Sequence, residues 1–255
     1  MCNIVGSFPE RRLRIVSDLP GNSTISAKFV YAMTNASDER SSPRAKITAL
    51  CGLAGVLAFA VFPIHDGLVH GNSIGHLLAG EAVIWGFTAI VLLWLRYAER
   101  LPLSSIGFRP PTWKGVAFGI VAALVLTAIQ ILQFAVIVPL FHLDTAAIMA
   151  RRQSIMSTPY WYRILLVLRA AFTEEVIYRG YLIEKVRQLS KNTTAAVILS
   201  VAAFTYAHLG GWGPVQLIAV GGGGFVFALF YIWRKDLPSN MIAHFLADAA
   251  GFLTS

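Results

Sequence analysis

The sequence predicts an all-α fold: a polytopic transmembrane bundle of about seven helices, within a range of six to eight. Three observations carry that prediction. Of 255 residues, 56% are hydrophobic and only 13% charged, with mean hydropathy +0.64, where a soluble globular chain carries about 25% charged residues. The apolar residues fall in continuous runs, whereas a transmembrane barrel would alternate apolar and polar positions. Lys and Arg collect between alternate runs, as loop charges do on the cytosolic side of a membrane. The same distribution removes nucleic acid as the reason for a formal net charge of +8, because the basic residues are shared among loops rather than gathered on one face.

Residues 1–45 are polar and basic, with Pro9, Pro20, Gly21 and Pro43 and no sustained period. Arg11, Arg12 and Arg14 are not followed by an apolar stretch, so this reads as a disordered cytosolic tail rather than a secretory signal. Residues 46–255 read as one transmembrane domain. Its seven apolar segments are 47–62, 79–95, 115–141, 162–184, 193–209, 215–233 and 238–253. About 20 helical residues cross the hydrocarbon at 1.5 Å each. The first and last segments are short enough to be tilted or partial crossings. The third is long and ends near Pro139. Pro110-Pro111 before the third segment and Pro238 at the start of the seventh suit helix starts. Tyr160, Trp161, Tyr162 and Trp233 sit at segment ends, as interfacial aromatics do. Summed over alternate loops, sixteen Lys and Arg face two, or three when Arg163 at the edge of the fourth segment is counted with its loop. That asymmetry predicts an N-terminus in the cytosol and a C-terminus outside. The expected location is a bacterial inner (cytoplasmic) membrane, with the lipid bilayer as surroundings.

The residues that stay polar at depth point to chemistry. Ala171-Phe172-Thr173-Glu174-Glu175-Val176-Ile177-Tyr178-Arg179-Gly180 lies in the run Ile164 to Ile183, whose only other charge is Arg169. A charge at bilayer depth costs roughly 2.5–3.5 kcal/mol on insertion scales. Successive helical residues point about 100° apart, so the two glutamates face different ways. Glu175 and Arg179 stand at i,i+4 and are expected to neutralise each other and brace the helix. Glu174 has Ala170, Ala171, Ile177 and Tyr178 at those spacings, so it is expected to be free and suited to a general base. Arg169 is expected to snorkel. His208 ends the fifth segment and shares a helix face with Phe204. His244 and Asp248, at i,i+4 in the seventh, can hold one ring in one orientation. Such a set can activate a water and stabilise an oxyanion, bind a divalent metal such as Zn, or relay protons in a transporter.

Other patterns carry less. There is no HExxH. Gly71-Asn72-Ser73-Ile74-Gly75 matches GxSxG by letters but lies in a loop between segments, away from any strand-to-helix turn. His65, His70 and His76 read as solvated loop residues. Gly221-Gly222-Gly223-Gly224 lacks a following Lys-Ser/Thr and reads as close helix approach or local unwinding. Cys2 and Cys51 form neither a disulfide framework nor a metal motif.

Glu174-Glu175-Val-Ile-Tyr-Arg179 resembles EExxxR, Phe204-Thr-Tyr-Ala-His208 resembles FxxxH, and His244-Phe-Leu-Ala-Asp248 resembles HxxxN/D. In that order and spacing they resemble the CPBP family (CAAX prenyl endopeptidase and bacteriocin-processing, also called Abi) of intramembrane proteases. The lead-in Leu103-Ser104-Ser105-Ile106-Gly107-Phe108 is similar too, and the resemblance covers roughly residues 80–253. It implies an endopeptidase acting on a membrane-associated peptide or protein. Glu174 would activate the water with His208 assisting, and His244 and position 248 would stabilise the oxyanion. Glu175, Arg179 and Phe204 would support them. The family is described both as metalloendopeptidases and as metal-independent glutamate proteases, so either no cofactor or a divalent metal is implied. An ionised Asp248 cannot donate to an oxyanion as Asn would. It must then be protonated, orient His244 or bind a metal. A transporter and an idle bacteriocin-immunity-type protein are the alternatives. Depth along the helices predicts a site near mid-membrane in a cavity open to the cytosol.

Overall fold

The computed structural model describes residues 42–61 and 73–254. His65, His70, Gly71, Asn72 and nearly all of the 1–45 tail lie outside them. The chain divides into two compact units, Met1–Lys46 and Ile47–Ser255. In the first, the described residues form a helical turn in which the Ser42 hydroxyl accepts from the Ala45 N–H at 3.2 Å.

All regular structure among the described residues is helical. Helix α1 runs Pro43–Val61. Helix α2, Ile74–Leu93, is capped by the Ser73 hydroxyl and widens into a π turn at Trp94–Ala98. Ser73 of the GxSxG string is thus a helix cap, and it also bonds His76 Nδ1 at 2.6 Å. Helix α3, Trp113–Leu132, is capped by Thr112 and continues through a π turn to Leu140. Helix α4 is Ala146–Met156. Helix α5 is continuous from Tyr160 to Ser190: α-helical over Tyr160–Arg169, π-helical over Ala170–Ile183 and α-helical again over Glu184–Ser190. Helix α6, Thr193–Tyr206, starts on an Asn192 cap. Helices α7, Leu209–Arg234, and α8, Leu237–Phe252, follow. Pro238 sits in the first turn of α8, behind an Asp236 cap.

The protein is a helical membrane bundle with eight helices among the described residues. The helix added to the expected seven is α4, in what the sequence presents as a polar loop. It buries Ile148 and Ile155 and leaves Arg151, Arg152 and Gln153 exposed, so a search for apolar runs passes over it. Four helical stretches are long and apolar enough to cross a bilayer: Pro43–Val61, Ile74–Ala98, Trp113–Leu140 and Val215–Arg234. Neither α5 nor α8 qualifies. Both carry polar side chains that the other helices cover, as ionisable groups in a bilayer require.

Helix α5 is the centre, packed by α2, α6, α7 and α8, while α3 lies along α8. One end of the bundle, here the basic end, carries Arg100, Arg109, Lys191 and Lys235. It is closely packed. Gly107 holds a left-handed φ of 77°, and its carbonyl accepts from the Leu237 N–H at 2.9 Å. A Cβ there would lie 2.9 Å from the Tyr231 ring, so the site needs glycine for space as well as for φ. Lys235 contacts Glu184, which also accepts from the Tyr231 hydroxyl at 3.1 Å, and Lys185 contacts Glu99. Ile106, Tyr181, Leu182, Ile183, Tyr231 and Leu237 are fully buried around them.

Candidate active site

The local winding of α5 decides which side chains meet. An α-helix stacks residues i and i+4. Bonding from i to i+5 widens the turn, and π-helical turns are rare and frequently found at functional sites. Arg169 and Glu174 stand five residues apart, and their Nη1 and Oε1 atoms are 3.1 Å apart. The expectation that Glu174 has no basic partner is therefore wrong, because it assumed α-helical spacing. Arg169 does not snorkel either. Its Nε also donates to Glu81 Oε2 at 3.3 Å, and its side chain is only 14% exposed. Glu81 accepts a further bond from the Tyr162 hydroxyl at 3.3 Å. A chain Tyr162–Glu81–Arg169–Glu174 thus runs from α2 into the site.

Glu175 points into the core. Its Oε1 lies 3.1 Å from Arg179 Nη1, with both side chains fully buried. The expected brace is present and does more than neutralise. Glu175 Oε1 accepts from His244 Nδ1 at 2.9 Å, and Oε2 accepts from Asn240 Nδ2 at 3.0 Å. Asn240 Nδ2 also donates to the Phe227 carbonyl at 2.9 Å. The Arg179 guanidinium lies 4.2 Å from the Phe204 ring centroid and 5.2 Å from that of Phe227, and it donates to the Gly224 carbonyl. Aromatic faces attract such a cation. Gly224 makes this fit: a Cβ there would lie 2.8 Å from Phe204 Cδ1. Helix α7 passes through its glycine run without unwinding, so close approach is the part of that expectation that holds, at Gly224.

His244 is the junction. A carboxylate only accepts, so Nδ1 carries the proton given to Glu175. Its Nε2 then lies 3.5 Å from Asp248 Oδ2 and 3.9 Å from Glu174 Oε2. The ring stacks on Phe227 at 4.8 Å. His208 occupies the turn between α6 and α7. Its Nδ1 is 2.8 Å from the Phe204 carbonyl, which likewise fixes that proton and leaves Nε2 for other partners.

Glu174, His208, His244 and Asp248 all line one cavity of about 260 Å³. Arg169, Tyr178, Phe204, Gly224 and Phe227 line it as well. Its remaining walls come from Phe59, Ile84, Gln130, Arg151, Ile155, Trp212, Gln216 and Phe252. These sit at the end of the bundle opposite the basic loops, where α1 and α8 finish and α4 and α7 begin their contact. Below the Glu175–Arg179 pair, the basic end is solid. The lining residues thus lie in the half of the bundle away from the basic loops.

Among the described residues, no group of three or more His, Cys, Asp or Glu side chains is arranged to hold a metal ion. His244 has its Nδ1 committed to Glu175, and Glu174 has one oxygen committed to Arg169. The donor set does not fit a metal as it stands, and the chemistry is written through the side chains alone.

Sequence reasoning missed Glu81 and Asn240. Glu81 left a signal, being the one charge within the apolar run 79–93 of α2. Asn240 left none that could be read without knowing what α5 touches.

Residues 155–250 match the Rce1-like family, type II CAAX prenyl endopeptidase. The match runs from the end of α4 through α8 and contains all three motifs, which bears out the resemblance read from the sequence. It supports a protease, and the four apolar helices make it an integral membrane protein. Comparison with curated proteins and with solved structures returned no match.

Proposed function

We propose that this protein is an intramembrane endopeptidase that hydrolyses a peptide bond of a membrane-associated peptide or protein with an activated water. The observation that carries the reading is the convergence of Glu174, His208, His244 and Asp248, from two helices and a turn, on one cavity inside the bundle.

Glu174 keeps Oε2 toward the cavity while Arg169 holds Oε1. A water between Glu174 and His208 gives one proton to Glu174, and its oxygen attacks the substrate carbonyl carbon. His208 Nε2 accepts the water's other hydrogen bond and aims the lone pair. The carbonyl electrons move to oxygen, giving an oxyanion that His244, in its doubly protonated form, meets with Nε2–H. As the C–N bond breaks, Glu174 returns the proton to the leaving amine. Asp248, 3.5 Å from Nε2, orients His244 and needs no role as an oxyanion donor. Glu175, Arg179 and Phe204 hold this geometry, and of these only Phe204 lines the cavity. The setting is a bacterial inner membrane with the N-terminus in the cytosol, following the loop charges.

The test is cleavage of membrane peptides by purified protein in liposomes, parent beside Glu174→Gln and His208→Ala. Loss of cleavage in both variants is expected. Undiminished turnover in Glu174→Gln would overturn the mechanism. Metal removal by chelation is expected to leave the parent active, and loss of activity restored by added Zn would instead favour a metalloprotease.

A further inference from the structure

Helix α7 carries four glycines in succession, Gly221 to Gly224, although glycine is among the poorest helix formers. Packing explains two of them. A Cβ at Gly224 would lie 2.8 Å from Phe204 Cδ1, and one at Gly221 would lie 3.3 Å from Thr205 Oγ1. Gly222 is exposed and stands outside the cavity wall. Gly223 is different. It is buried and lines the cavity, yet a Cβ there would meet no atom within 4 Å among the described residues. A buried glycine with free space before it does not serve the packing of the protein. What it leaves is room in the cavity.

That room adjoins the reacting groups. Gly223 follows Gln216 by seven residues and precedes Phe227 by four, which puts the three on one helix face, and all three line the cavity. Phe227 stacks on His244 at 4.8 Å. Gly224 receives the Phe204 ring, which lies 4.7 Å from that of His208. Gly223 therefore stands on α7 between the contacts to the two histidines. Two turns earlier, Gln216 Oε1 is buried without a hydrogen-bond partner among the described residues. A buried acceptor left unsatisfied is costly, and a main-chain N–H of a bound polypeptide would satisfy it.

We infer that Gly223 determines how large a substrate side chain fits beside the scissile bond, an assignment that rests on the protease reading. Val220 and Phe227, about one turn to either side, make this surface apolar. With no side chain of its own, Gly223 lets a bulky apolar group lie against the helix. Each carbon added at 223 takes that space from the substrate. Gln216 holds the main chain and does not read side chains.

Two measurements on the full chain test this, and the first needs no activity. In detergent, Gly223→Ala is expected to unfold at or above the parent's temperature, and Gly224→Ala below it. A fall in Gly223→Ala as large as in Gly224→Ala means that the added Cβ meets protein, and overturns the inference whether or not the protein is a protease. For the second, a peptide that the parent cleaves is varied through Ala, Val, Leu and Phe at each residue flanking the cleaved bond. At one of those positions, Gly223→Ala and more strongly Gly223→Leu are expected to lower kcat/KM for the bulkiest peptide about 10–200-fold relative to the Ala peptide. Gly222→Leu is expected to keep the parent's profile. Gln216→Leu is expected to raise KM for all peptides alike. A parent-like profile in Gly223→Leu, a loss that is uniform over the peptides, or size selection altered by Gln216→Leu instead, overturns the assignment. Failure of the parent to cleave any peptide, with Gly223→Ala as stable as the parent, counts against the protease reading and leaves the space before Gly223 standing.

Discussion

Two charged clusters sit along α5, and they differ in one respect. Toward the α4 end, Arg169, Glu174, His244 and Asp248 line a cavity of about 260 Å³, with Glu81 behind Arg169. Toward the basic end, Glu99 with Lys185 and Glu184 with Lys235 and Tyr231 are built from the same kinds of groups. None of that second set lines the cavity. Gly107 and Tyr231 pack so closely there that a single added carbon would collide. Buried charge alone therefore does not mark chemistry in this bundle. Charge beside space that water can reach does, and the second cluster reads as a lock that closes the floor.

The comparison can be broken from either side. The largest expected effect is on turnover. Glu174→Gln should lower kcat by about 10²–10⁴-fold, the range for a lost general base, while its unfolding temperature in detergent stays near that of the parent. A matching loss of folded protein would make Glu174 structural. Next is stability: Arg179→Ala leaves Glu175 buried without its guanidinium, and breaking such a pair costs about 3–5 kcal/mol. Thermal unfolding in detergent should fall sharply and activity should go with it. A fully stable variant would show that His244 and Asn240 alone satisfy Glu175.

Glu81→Gln tests the chain through Arg169. Loss of about 1.4 kcal/mol of positioning is tenfold in rate, so kcat should fall by about that factor with KM little changed, and Glu81→Asp should recover part of it. An unchanged kcat with a lowered unfolding temperature would reduce Glu81 to packing. The smallest effect is expected at the lock. The Lys235 and Glu184 side chains are 31% and 20% exposed, and ion pairs of that kind contribute about 0–1 kcal/mol. Lys235→Ala should shift unfolding slightly and leave kcat alone. If it abolished turnover, the contrast between the two clusters would fail.

Reading the helices from sequence alone succeeded where the partners stand four residues apart. Glu175 with Arg179 and His244 with Asp248 are both i,i+4 pairs and both are present. It failed where the winding changed. Arg169 meets Glu174 because the helix bonds i to i+5 from Ala170 onward, and nothing in the residue types signals that register. Helix α4 was missed because two buried isoleucines among polar residues make no apolar run. His208 was read as ending the fifth helical segment, whereas α6 stops at Tyr206 and the turn after it brings the ring to the cavity.

The sequence by itself determined the fold class, most of the helices, the three motifs and the charge asymmetry of the loops. These are properties of composition and local period, and the bilayer's demand for satisfied backbone makes them strongly binding. The tertiary structure alone decided that Arg169 holds Glu174 and Glu81 holds Arg169. It also decided that Gly224 admits Phe204 against Arg179 and that the turn at His208 joins α5 and α8 around one cavity. Each depends on which helix faces which and at what distance. That is set by packing between segments far apart in the chain, where no local pattern records the partner.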